Sequence, residues 1–111
     1  MHTKKIGSVI SIIMMLSALI LISCQKDNPG PDEVFMEGNK FSPATITVTA
    51  GTTVTWTNKD NVTHSVTSDT GMFESGDLSN GNTFKYTFST QGSYDYHCRF
   101  HGAMIGKVIV E

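Results

Sequence analysis

The chain is poor in the residues that build elaborate frameworks. Two cysteines in 111 residues cannot make a disulfide-rich scaffold. Charged side chains make up 16% and the net charge is −2, so there is no basic footprint for nucleic acid. No stretch sustains a 3.6-residue apolar period, so no amphipathic helix is expected. Apart from one N-terminal apolar run the composition is that of a globular protein, which excludes wholesale disorder and a multi-span membrane protein. The length leaves room for one small domain.

Residues 1–23 differ from the rest. Lys4 and Lys5 precede an apolar run from Ile6 to Ile22, the pattern of a secretory signal. Leu21-Ile22-Ser23-Cys24 follows at once and resembles the lipobox of bacterial lipoproteins, in which cleavage before the cysteine accompanies lipid attachment to its sulfur. Such cleavage would leave 88 residues with 6 basic and 10 acidic side chains. Lipid on Cys24 would anchor the chain to a membrane of the bacterial cell envelope, facing the periplasm or the surface. It would also leave Cys98 as the one thiol in an oxidising compartment, where a free cysteine is a liability unless it is buried or held by a metal. Residues 24–33 contain Pro29-Gly30-Pro31 and no apolar residue from Gln25 onward, and are read as a tether.

From Val34 to Glu111 the apolar period is two. Ile46 and Val48, Val54 and Trp56, Val62 to Val66, Phe84 to Phe88, Tyr94 to Cys98, and Gly106 to Val110 each alternate with polar neighbours, rich in threonine. Turn residues separate these runs, at Ala50-Gly51, at 58–61, at 69–71, at Asn80-Gly81-Asn82 and at Gln91-Gly92. The pattern predicts an all-β domain over 34–111, an antiparallel sandwich or barrel. Its core is small, and a bound metal would add stability.

Four residues carry chemistry. Cys98, His101 and Met104 form Cys-x-x-His-x-x-Met where one predicted strand ends and the next begins, and His64 lies on a different strand. Taken singly, His64 reads as a satisfied core histidine, Cys98 as an inert buried thiol and Met104 as core filler. Taken together, two imidazoles, a thiolate and a thioether make the donor set of a blue-copper electron-transfer site. Thiolate and thioether favour Cu(I), imidazole accepts both oxidation states, and methionine is not a usual zinc ligand. Strand alternation puts His64 on a face with Val62 and Val66, and Cys98 on a face with Tyr94 and Tyr96. His97 falls on the opposite face and is excluded from the set.

The stretch GSYDYHCRFHGAMIGKVIVE (92–111) resembles the copper-loop region of cupredoxins, and FSPATITVTAGTTVTWTNKDNVTHSV (41–66) resembles the same family's upstream half. The resemblance covers about residues 34–111. It implies a Greek-key β-sandwich holding one copper ion by His64, Cys98, His101 and Met104. Two positions depart from the family pattern. Ser65 stands where an asparagine often ties the ligand loops together, and is expected to tie them less well. Arg99-Phe100 stands where a proline is common, which would loosen the loop and put a positive charge near the metal.

The function expected is electron carriage, not catalysis. Redox proteins would dock transiently near His101, framed by Phe100, Gly102 and Ala103, and the chain is expected to be a monomer. A copper-binding or delivery module without an electron-transfer partner is the alternative. An oxidase fragment is disfavoured, because no His-x-His pair occurs and arginine follows the ligand cysteine.

Overall fold

A computed structural model describes residues 27–111; the signal sequence and Cys24 expected above lie outside them. The described residues form eight strands and no helix: β1 (Glu33–Met36), β2 (Phe41–Ser42), β3 (Thr45–Val48), β4 (Thr52–Asn58), β5 (Thr67–Ser68), β6 (Thr83–Phe88), β7 (Gly92–Cys98) and β8 (His101–Val110). They build two four-stranded sheets, ordered β2-β1-β4-β6 and β3-β8-β7-β5. The all-β sandwich expected from the two-residue period is what the chain forms.

The sandwich expected as antiparallel carries two parallel pairings as well. β1 runs parallel to β4, and β3 runs parallel to β8. The cause lies in the stretch Phe41–Val48. Its first residues pair with β1 and its last four with β8, so one descending run changes sheets at Pro43-Ala44. Proline has no N–H to continue a ladder, which suits it to that corner. β4 then rises beside β1 in the same direction. A period of two reports which face a side chain takes and is silent on the direction of the neighbouring strand.

The core lies between the sheets. Val34, Met36, Val54, Trp56, Phe88, Tyr96 and Val108 are almost completely buried. Trp56 packs edge-on against Tyr96 with ring centroids 5.5 Å apart, and Tyr96 packs likewise against Phe41 at 4.7 Å. Tyr96 lies across Gly106, its register partner on β8, where a side chain would collide with the ring.

The strand 62–66 expected from alternation does not form. Val62 is 47% exposed, while Ser65 is buried beside His64 and Val66. An isolated bridge to Leu78 stands in place of a ladder in this segment, through His64 N to Leu78 O at 3.0 Å and Leu78 N to His64 O at 2.8 Å. His64 is therefore buried by the loop that folds over it. Alternation with Val62 is not the reason.

Candidate metal centre

β4 and β7 end, and β8 begins, at one end of the sandwich. Asn58, the last residue of β4, is fully buried there and organises the next segment. Its Nδ2 donates to Val62 O at 2.9 Å and to Leu78 O at 2.8 Å, and its Oδ1 accepts from the Asp60 amide at 2.8 Å. A buried amide satisfied in this way fixes the loop that carries His64.

Cys98 and His101 face each other directly across a two-residue turn, Arg99-Phe100. The register then slips between His97 and Cys98. His97 pairs with Ile105, so Gly102, Ala103 and Met104 are looped out of the ladder. The slip separates the paired strand body from the loop that carries Met104. Met104 is buried within this looped-out stretch and belongs to the same apolar cluster as Cys98.

The loop from β4 and the β7–β8 turn converge. Cys98 Sγ lies 3.7 Å from His64 Nδ1 and 3.7 Å from His101 Nδ1. The imidazole rings are 5.0 Å apart, centre to centre. One donor atom from each of the three residues lies within 4.8 Å of the others, close enough to share one ion. Cys98 and His64 are buried, and His101 is half-buried.

Asp60, in the turn at 58–61, completes the arrangement. Its Oδ2 lies 2.8 Å from His64 Nε2. Burial raises the Asp60 carboxyl, but the amide of Asn39, the His64 ring and the amide of Gly38 outweigh it, so its pKa falls below the usual carboxylate value. An ionised carboxylate only accepts, so His64 Nε2 carries the proton and Nδ1 turns its lone pair toward Cys98. Carboxylates commonly fix metal-binding histidines in this way, and a carboxylate four residues before the histidine was the sequence signal available for it.

The two departures at Ser65 and Arg99 take a definite form. Ser65 Oγ accepts from the Arg99 amide at 2.9 Å, so the His64 segment and the Cys98 turn are tied despite the shorter side chain. Arg99 reaches away to Glu74 at 3.2 Å and Asp77 at 3.0 Å, which offsets the charge expected near the metal. Phe100 is 47% exposed beside the Arg99 guanidinium. His97 turns outward, as its register requires, and bonds Asp69 at 2.6 Å.

The donors suit a soft, redox-active ion. One sulfur and two imidazole nitrogens meet in a buried pocket whose histidine tautomer is already set. The Cupredoxin-like domain family matches residues 10–110 of the chain. Amicyanin-alpha of Methylorubrum extorquens is 35% identical over 101 residues, covering 86% of this chain and 85% of that protein. Halocyanin of Natronomonas pharaonis is 41% identical over 98 residues, covering 77% of this chain and 60% of that protein. Among solved structures, a purple cupredoxin from Nitrosopumilus maritimus superposes with a TM-score of 0.66 at 32% identity, covering 71% of this chain and 98% of that one. A Cu(I) amicyanin variant superposes with a TM-score of 0.68 at 31% identity, covering 71% and 80%. With the sandwich, the converging sulfur and imidazoles and this breadth of match together, the chain belongs to the cupredoxin family.

Proposed function

We propose that this chain is a blue-copper electron carrier of the bacterial cell envelope, anchored by lipid on Cys24 and docking transiently with redox proteins. His64, Cys98 and His101 would hold one copper ion, with Met104 as a weak thioether donor. The observation that carries this reading is the approach of one thiol to two imidazoles, at 3.7 Å each, at the buried end of two rigid sheets. When bound, copper supplies a one-electron couple between Cu(II) and Cu(I).

The chain's own residues keep the donors from rearranging as the charge changes. Asp60 holds the His64 ring from behind. Asn58 and the Leu78 bridge hold its backbone. Ser65 ties the Cys98 turn to the His64 segment. His101 alone among the three is partly open to solvent, and its neighbours Phe100, Gly102 and Ala103 are exposed. An apolar rim around one solvent-reaching imidazole suits brief docking and outer-sphere transfer, with no substrate on the metal.

Loading the purified chain with copper tests this. An intense visible thiolate-to-copper band and a reversible one-electron wave are expected. Cys98→Ser should remove the band while the sandwich stays folded by circular dichroism. A chain that keeps its colour without the Cys98 sulfur would disprove the site.

A further inference from the structure

Residues 27–33, part of the segment read as a tether, fold back on the domain. Asp27 Oδ2 lies 2.7 Å from Lys59 Nζ, which stands 4.6 Å over the ring of Phe35. A turn brings Asp27 there. Glu33 N donates to Gly30 O at 3.2 Å, Gly30 N donates to Glu33 Oε1 at 3.0 Å, and Thr55 N donates to Asp32 O at 3.0 Å. Pro29 and Pro31 restrict the backbone on either side of that turn. The chain therefore doubles back before β1 begins.

The direction of that return matters. β1 starts at Glu33, opposite Thr55, and rises to Met36, opposite Asn58. Asp27 is held beyond its start, at the level of Phe35 and Lys59. Lys59 directly precedes Asp60, the residue bonded to His64. The opposite end of the sandwich carries Gly51, Phe88 and Glu111. Asp27, the first described residue, thus lies toward the end that carries the proposed metal ligands. Three residues of chain reach at most ~10 Å, whereas the nine from Cys24 to Glu33 would reach ~30 Å and let the domain tumble.

We propose that the Asp27–Lys59 pair orients the lipid-anchored domain with its metal end nearest the bilayer, offering the His101 face to an electron partner seated in the same membrane. The proposal rests on lipid attachment at Cys24, part of the function proposed above. An exposed ion pair is weak and screened by salt, so the pair biases the orientation, and the bias shrinks as ionic strength rises.

The test uses the full lipidated chain, as diamagnetic Cu(I) or metal-free protein, in phosphatidylcholine nanodiscs doped with a gadolinium-chelate lipid. A mass spectrum first establishes diacylglycerol on Cys24; a chain without it overturns the anchoring and the orientation together, and leaves the copper reading to its own spectrum. With the lipid present, the amides of Asn61, Phe100 and Gly102 should broaden several-fold more than those of Gly51, Gln91 and Glu111. D27K should erase that gradient, and D27K combined with K59D should restore it. Equal broadening at both ends of the native chain, or a gradient that survives D27K, overturns the proposal while lipid attachment stands.

Discussion

Nε2 of the fully buried His64 donates to Oδ2 of Asp60 at 2.8 Å, and this single bond decides which nitrogen of the ring faces Cys98. Asp60 is itself held by the amides of Gly38 at 2.8 Å and Asn39 at 3.0 Å, so the ring is clamped through a turn of a different strand pair. Asp60→Ala should release the ring and lower copper affinity about 10–100-fold, read by competition against a chelator of known affinity. Unchanged affinity would show that the loop backbone alone orients His64.

The same carboxylate sets an acid limit. Burial raises its pKa, yet the Asn39 amide, the His64 ring and the Gly38 amide bring it below its ordinary value of 3.8. A folded pKa below the unfolded one contributes stability that is complete above the unfolded value and is lost as pH falls through the folded value. Urea midpoints measured from pH 6 down to pH 2 should fall less steeply in Asp60→Asn than in the native chain.

Tyr96 sets an alkaline limit. Burial pushes its hydroxyl up to about 12 from an ordinary 10.0, although nearby Trp56 pulls it back a little. The unfolded chain loses this proton first, so stability is unaffected below pH 10 and declines between 10 and 12. The loss is about 2 kcal/mol at pH 12. Tyr96→Phe should flatten that decline in an alkaline denaturation series.

Gly106 leaves space for that ring. A Cβ there would collide with Cζ of Tyr96 and with its hydroxyl oxygen. The ring is 1% exposed and packed against Trp56 and Phe41, so it cannot step aside. Gly106→Ala should cost about 1–3 kcal/mol, as overpacking of a core does. Tyr96→Leu in the same chain should recover part of the loss, seen as partly additive shifts in the urea midpoint.

Ser65 and Arg99 separate a structural tie from a surface charge. Ser65→Ala removes the acceptor of the Arg99 amide beside the site, and should cost about 1 kcal/mol and loosen the Arg99-Phe100 turn. Arg99→Gln removes pairs whose partners Glu74 and Asp77 are exposed, and should be silent at high salt. A larger loss from Arg99→Gln than from Ser65→Ala would reverse this assignment.

Alternation and turn residues were enough to read the core strands. Ile46 and Val48, Val54 and Trp56, and Tyr96 and Cys98 are all buried where a period of two put them. The outward turn of His97 followed from the same register. The Cys-x-x-His-x-x-Met spacing was legible because its residues lie within seven positions, and Cys98 and His101 face each other across one turn. Asp60 was harder to see, because aspartate in a turn has an ordinary reading and only proximity to His64 gives it another. The segment 62–66 misled because its alternation is real in composition, but the Leu78 bridge, and no ladder, decides which side chains are covered.

By itself the sequence determined the all-β class and the cysteine turn, since both depend on interactions between residues close in the chain. Only the tertiary structure decided the parallel pairings of β1 with β4 and β3 with β8, the approach of His64 to Cys98, and the return of Asp27 to Lys59. Each of these depends on which distant segments come to lie side by side, and a local period carries no information about a partner tens of residues away.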